Sequence, residues 1–509
     1  MKNIKKVIKI GKKLDELGVK YSSLSWTKYT TGFDFGVDQA YEKYTEVLKN
    51  KKYFEIILNH QEKPLDPVDK RRIDIIVLAF KLYHLSDELN QLDLRIQKKT
   101  NELSHILNTF RFTLDGREIR STEIAQILRS DDDRERRKRA FLCRAQINRP
   151  LVDGGFIDLI NMRKEYAKLY GAKNFITLRL EFDELEPGIF DNWDQEIQNR
   201  LPGLKDICAK FGKEYISDEQ VMGWDSAYIS AKLAPQLNQI VDMSKYYDVI
   251  RNLFLKFGFD ISRYNITYDI FCRKNKSEWG YNFTIKNGID SRILANVENR
   301  YHEYGVLLHE TGHAVHFFNL NPEDILLNMG VSGIITEGFA NLWREFMYEK
   351  MFYEPFFATD LDQTAKAFEN LKTWQQVNRI RAVPDILFDQ SLYLTDIKTL
   401  DDINELYFSK YKQILNEDPY TENPPWAYRI HHTTHPIYLH NYFLGDLTCN
   451  MLNNRFKKLT GVSNVLEKPE EFGQFLLDGI IKPSGTCPFL KLFEKISEEQ
   501  FSLNYLAKQ

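Results

Sequence analysis

A mainly α-helical fold with one small β-sheet is what this 509-residue sequence predicts. Three observations carry that expectation. Apolar residues recur at intervals of three and four over most of the chain, the period of a helix with one buried face. Period-two alternation is confined to short stretches near residues 110–119 and 264–297. No fixed-period repeat, low-complexity tract or obvious linker interrupts the pattern.

Residues from about 36 to 108 read as helix. The clearest part is Asp69–Leu107, where Ile73, Ile76, Val77, Phe80, Leu85, Leu89, Leu92 and Ile96 recur mostly at three and four. In a chain with so many other helices that stripe reads as core packing. Phe110–Ile119 alternates around Asp115-Gly116, a hairpin pattern. Asp131, Asp132 and Asp133 precede the basic run Arg134–Arg139, which suits a helix start followed by a solvated face. Phe156–Tyr170 is amphipathic and Gly171 stops it. Residues 190–257 look mainly helical, punctuated by Pro202 and Pro235. Ile266–Phe271, Tyr281–Ile285 and Arg292–Val297 are short and rich in strand formers, and Asn287-Gly288 supplies a turn. Helices return from Leu361 to about Leu394, Asn423–Trp426 is a loop, and the C-terminal third ends in more helix.

Charge is abundant and nearly balanced, with a net of −3. That points away from nucleic acid and from a membrane surface as partner. The basic run has no interleaved aromatics, so it does not read as a nucleic-acid patch. The five cysteines are scattered and form no Cys-x-x-Cys pair, so neither a disulfide framework nor a thiolate metal site is expected. The N-terminus is basic without the apolar core of a signal peptide, and no run of about eighteen apolar residues occurs. The expected location is the cytoplasm. The sequence leaves the oligomeric state open.

Chemistry concentrates in Tyr304–Phe318, which contains His309-Glu-Thr-Gly-His313. On a helix, His309 and His313 lie one turn apart on one face and offer two imidazoles to a zinc ion. Glu310 is placed to serve as general base toward a water that the metal activates. A third ligand is needed, and Glu337, in the helical pattern that follows the loop Asn319–Ser332, is the expected one. Two histidines, one glutamate and an open fourth position make a catalytic zinc set, with one Zn²⁺ per chain. Asn341, one turn beyond Glu337, is expected either to orient a ligand histidine or simply to pack its helix.

A second constellation follows Pro425. Four of the eleven histidines fall between Trp426 and Gly445, together with three tyrosines. A helix beginning near Pro436 would put Tyr438 and Tyr442 on one face, and with His432 they are the donors that a developing oxyanion needs.

These blocks resemble the zinc oligopeptidases related to thimet oligopeptidase and oligoendopeptidase F. The likeness is carried by His309–His316, by Asp290–Val297 just before it, and by Ile430–Gly445, with His432, Tyr438, Tyr442 and Gly445 in register. It is specific over about residues 280–450. The resemblance implies an elongated, two-lobed helical body with a deep channel and zinc on its floor. It implies that the strand holding Ile293, Leu294, Ala295 and Asn296 pairs with substrate backbone, an added-strand mode of binding. It also implies short peptides as substrates. His431, Thr433 and Thr434 depart from the family pattern and leave the cleavage mode open. Oligoendopeptidase action is the first expectation, with a dipeptidyl carboxypeptidase or carboxypeptidase of the same clan as the alternative. A catalytically silent, zinc-containing peptide-binding scaffold is the reading from another class. The expected organisation is an N-terminal helical part, residues 1–150, packed on a catalytic part, residues 151–509.

Overall fold

The computed structural model describes residues 4–277, 280–357 and 360–506. The chain is 69% helical, and its strands form only two small sheets, so the mainly α expectation holds. Met1–Asn3 of the basic N-terminus lie outside the described residues. The rest of that segment enters the helix Lys5–Thr31.

Two compact units share the chain, and both are assembled from separated segments. The first comprises Met1–Leu85, Gln236–Thr359 and Leu444–Gln509; the second comprises Ser86–Pro235 and Asp360–Phe443. A boundary at residue 150 therefore falls inside the second unit.

In the first unit the N-terminal helices do pack on the segment that holds His309. Ile4, Val7, Ile10 and Leu14 share one core with Val47, Leu48, Ile57, Ile73, Ile76, Phe80 and Leu326. Arg72 seals it, bonding Asp69 and Asp324 at 2.6 Å each. The helical stretch read over Asp69–Leu107 is made of two helices, Pro67–Lys81 and Asp87–Thr109. Ser86 breaks it. Its hydroxyl accepts from the Leu89 amide, and Asp87 and Glu88 favour the positive helix N-terminus that this creates.

Strands β1 (Phe112–Leu114) and β2 (Arg117–Ile119) form the expected hairpin in the second unit. Asp115 and Gly116 both have positive φ, the conformation of its tight turn. The helix Phe156–Tyr170 ends at Gly171, whose φ of 86° makes the left-handed cap. The basic run starts its helix as expected, with Asp133 accepting from the Glu135 and Arg136 amides. Its face is not solvated throughout. Arg137 is 1% exposed and pairs with Asp225, and Arg134 reaches both Asp225 and Asp218. Part of this basic stretch is thus spent on internal ion pairs.

The sheet before the His309 helix belongs to the first unit. Its strands β3 (Ile266–Phe271), β4 (Tyr281–Lys286) and β5 (Asp290–Val297) lie in the order β3-β5-β4. β5 pairs parallel with β3 and antiparallel with β4. This corrects one expectation. Ile293 and Leu294 are already paired on both sides, with Tyr268 and Asp269 on one edge and Asn282 and Tyr281 on the other. Ala295 gives its carbonyl to the buried Lys276 ammonium at 2.5 Å, and the Asn296 amide donates to the Ser277 carbonyl at 2.8 Å. No peptide strand can add to β5 there. The edge strands are β3 and β4.

Candidate metal centre and active site

The helix Glu303–Phe318 is held by its apolar residues, and Leu307, Leu308, Ala314 and Val315 are fully buried on it. Its first turn is closed by Glu303, whose carboxylate accepts from the backbone amides of Glu298 and Arg300. The loop after it contains a short helix, Ile325–Met329, and the chain then turns into the helix Gly333–Glu345. Ser332 starts that helix by accepting from the Ile334 amide.

The two helices touch through small residues. A Cβ on Gly312 would stand 2.8 Å from Cδ1 of Trp343 and 3.0 Å from Cα of Ala340. On the other side of the second helix, a Cβ on Gly338 would meet Thr448 at 2.6 Å. Glycine at both places lets three helices close in, and that closeness brings Glu337 to the histidines.

Nε2 of His309 and Nε2 of His313 are 3.2 Å apart. Glu337 stands over both, 3.5 Å from His309 through Oε2 and 3.7 Å from His313 through Oε1. All three residues offer ligand atoms within 4.8 Å of one another. A tetrahedral zinc with bonds of about 2.0–2.1 Å separates its ligands by roughly 3.3 Å, so the spacing fits. The electrostatics agree. Burial holds His309 down to about 3, with His313 and Arg344 adding to the effect, and burial alone holds His313 down to about 4. Both imidazoles are therefore neutral, as metal ligands must be. Burial pushes Glu337 up to about 7, aided by Asp446; burial and the neighbouring Glu337 push Glu310 up to about 8. With Glu310 buried and Glu337 half-buried, a carboxylate charge is costly here without a counter-charge, which a divalent cation would supply.

Asn341 donates to Asp446 at 3.1 Å and lies against His309, where it partly counters the downward shift of the ring. It makes no well-formed bond to that ring, because Nδ1 of His309 is buried without a partner.

One feature of the site had no motif to announce it. A Cβ built on Gly280, the residue that enters β4, would stand 3.7 Å from Oε1 of Glu310. The side chain of Asn282 on β4 donates to the Glu310 carbonyl at 3.4 Å. The edge strand beside Glu310 is therefore β4, and the periodicity that identified the strand said nothing about its neighbours.

His432, Tyr438 and Tyr442 all belong to the second unit, Tyr442 on the helix Leu439–Thr460 that begins there. The structure divides this trio. His432 is 1% exposed, with Nδ1 3.1 Å from Asp389, which also accepts from the Ile437 amide. It braces the turn that precedes the tyrosines. The imidazoles standing among the tyrosines are His431, its ring 6.5 Å from Tyr438 and 6.0 Å from Tyr442, and His435, 6.3 Å from Tyr438. Tyr438 precedes the helix instead of riding on it, since Ile437 takes a φ of 56°. The two phenol rings are still neighbours, 5.4 Å apart.

No protein-family model matches this sequence, and no curated protein matches it either. Solved structures do. A carboxypeptidase of Pyrococcus furiosus in an apo-Mg form superposes with a TM-score of 0.67 at 15% identity, over 99% of this chain and 97% of that one. An M32 carboxypeptidase from Deinococcus radiodurans R1 gives 0.65 at 11%, over 99% and 97%. PZ peptidase A with an inhibitor gives 0.67 at 16%, over 96% of this chain and 87% of its own. The chain has the fold of these proteins over nearly its whole length.

Proposed function

We propose that this chain is a zinc peptidase acting on short peptides. The observation that carries the reading is the convergence of His309, His313 and Glu337, with Glu310 on the same helix. Zinc held there would polarise the scissile carbonyl and acidify water. Glu310 then accepts the proton of the attacking water and returns it to the leaving amine. Asn341 steadies the wall behind His309. Tyr438 and Tyr442 are assigned the donor role at the oxyanion, with His431 replacing His432 as their imidazole neighbour. The open edge of β4, which starts beside Glu310, supplies main-chain groups to an extended substrate.

Carboxypeptidase action is favoured over oligoendopeptidase action, because two of the three structures described above are named as carboxypeptidases. The oligoendopeptidase reading rests on the Ile430–Gly445 block. One experiment separates them: digestion of a mixed peptide library by the zinc-loaded protein, read by mass spectrometry, with a chelator as control. Residues lost singly from the C-terminus give the carboxypeptidase, and pairs give the dipeptidyl enzyme. Internal cuts give the oligoendopeptidase. No chelator-sensitive cleavage at all would leave a silent scaffold and overturn the proposal.

A further inference from the structure

β4 has two unlike faces. Asn282 points its amide at Ser291 and the Glu310 carbonyl, toward the helix that carries the histidines. Tyr281, Phe283 and Ile285 alternate with it and meet the helix Lys5–Thr31 instead. There Tyr29 stands 5.5 Å from Tyr281 and 5.4 Å from Phe283, ring to ring and nearly perpendicular to both. Trp26 sits 5.5 Å from Phe283, and Ile285 and Leu294 close the cluster behind it. The cluster is graded. Trp26 is 9% exposed, whereas Tyr29 and Tyr281 keep 40% and 36% of their surface open. The two open rings lie side by side, so the exposed part of the cluster is a continuous aromatic surface in front of the covered Trp26.

The open rings are held in place. The Ser277 amide donates to the Tyr29 carbonyl at 2.8 Å, and Arg273 donates to the Thr30 carbonyl at 2.5 Å. The end of the helix is thereby tied to the segment leading into β4. No strand pairs with the second edge of β4 among the described residues. Gly280, the residue before Tyr281, lies close to the Glu310 carboxylate: a Cβ built on it would stand 3.7 Å from Oε1.

We propose that Tyr29 and Tyr281 form a substrate subsite: they take one bulky aromatic or aliphatic side chain of an extended peptide that lies along the open edge of β4. This rests on the peptidase reading and adds its side-chain specificity. A peptide paired to that edge passes Glu310 at Gly280, and its side chains alternate between the two faces of the sheet. Those on the Asn282 face meet polar groups. The one that shares the face of Tyr281 meets the two rings, within a residue or two of the bond that Glu310 serves. Aromatic rings prefer edge-to-face neighbours, and a ring laid against the exposed sides of this already touching pair can adopt that geometry.

The test uses the zinc-loaded full chain and one peptide series in which a single residue near the cleaved bond is Phe, Leu, Ala or Asp. Wild type is expected to favour Phe over Ala at one position by about tenfold or more in kcat/KM. Tyr29→Ala brings that ratio toward one, and Tyr29→Phe keeps it, because the ring and not the hydroxyl makes the contact. Leu459→Ala, a substitution of an exposed side chain on another helix, serves as control and leaves the ratio as in wild type. The same ratios are read as affinities in the Glu310→Gln protein, by quenching of tryptophan fluorescence. Cleavage whose Phe-to-Ala ratio is unchanged by Tyr29→Ala overturns the subsite and spares the peptidase. Peptides that are bound with the expected ratio but never cut spare the subsite and overturn the peptidase. Peptides neither cut nor bound overturn both.

Discussion

Glu303 and Glu337 lie on two touching helices, and only their partners tell them apart. Glu303 spends both oxygens on backbone amides, whereas Glu337 faces two imidazoles. Glu337→Ala should therefore lose zinc during dialysis against graded chelator. Glu303→Ala should keep it and lose about 1–3 kcal/mol of stability with its bonds to the Glu298 and Arg300 amides. Glu310→Gln should bind zinc as wild type and hydrolyse nothing, since the amide cannot take a proton; turnover in that zinc-loaded variant would remove Glu310 as base. Replacing the true oxyanion donor among Tyr438 and Tyr442 by Phe should cost about 2.7–4 kcal/mol in kcat. His432→Ala should instead show in stability, by about 1–3 kcal/mol, because its bond to Asp389 is buried. The pairing of His309 with His313 was legible in the sequence because four-residue spacing is itself geometry. The place of His432 was not, because adjacent histidines are told apart only by what folds over them. A pH test reads another buried histidine. Burial holds His440 down to about 4, while the unfolded ring titrates near 6.5. Between those values the unfolded state binds the proton that the folded state refuses, so stability falls as pH falls, by on the order of 3 kcal/mol in all. Asp183, 3.8 Å away and pushed by burial up to about 6, acts in the opposite sense as pH drops from about 6 toward 3.8. His440→Asn removes only the first effect. Its stability relative to wild type, from urea unfolding at pH 7, 5.5 and 4.5, should rise steadily toward acid; a flat difference would mean that His440 is not held neutral.

At the scale of elements, the readable features were those with local causes. Phe156–Tyr170 was found to the residue because its stop is a glycine in the left-handed region. The hairpin at Asp115-Gly116 was found because the turn dictates its own residues. The break at Ser86 was missed although serine, aspartate and glutamate there spell a helix start, because the apolar stripe continues across it. The order β3-β5-β4 was out of reach, since alternation fixes which face a residue takes and not which strand lies beside it. The spacing between the two helices that carry the candidate metal ligands is likewise a tertiary fact, and Gly312 tests it. Gly312→Ala drives a methyl group into Trp343 and Ala340, so the helices must part. The cost should be about 1–3 kcal/mol of stability, and zinc affinity should fall with it, because Glu337 rides on the displaced helix. Gly203→Ala is the contrast. It lies within the helix Leu201–Ile216 with nothing within 4 Å of the new methyl, and it should stabilise by about 0.5–1 kcal/mol. Urea melts and chelator competition on both variants decide; equal zinc affinity in Gly312→Ala and wild type would mean that the helix spacing does not set the site.

At the scale of the whole molecule, no linker in the sequence marked the expected division at residue 150, and the reason lies in the path of the chain. Each unit is closed by segments far apart in sequence, so no linker composition marks where one stops. A division after residue 150 would cut both. The first unit would lose Ile4, Val7, Ile73, Ile76 and Phe80 from the core that covers Leu326, and Asp324 would lose Arg72. The second would lose Asn148, which is fully buried and donates to Asn423 and to the Pro424 carbonyl while accepting from the Ala427 amide. Each of those broken contacts leaves buried polar groups or apolar surface facing water, at about 1–3 kcal/mol for a buried polar group and about 1.5–3 for a large apolar side chain. A few such losses match the whole stability of a domain, about 5–15 kcal/mol. Residues 151–509 expressed alone keep every proposed metal ligand and the whole sheet, so a self-sufficient catalytic part would fold and bind zinc. The interleaved units predict the opposite. The fragment should give no cooperative urea transition, weak near-ultraviolet circular dichroism and no stoichiometric zinc, whereas mixing in residues 1–150 should restore part of each. A fragment 151–509 that melts cooperatively and holds one zinc ion would show that the N-terminal helices are an addition to the site and not part of what builds it.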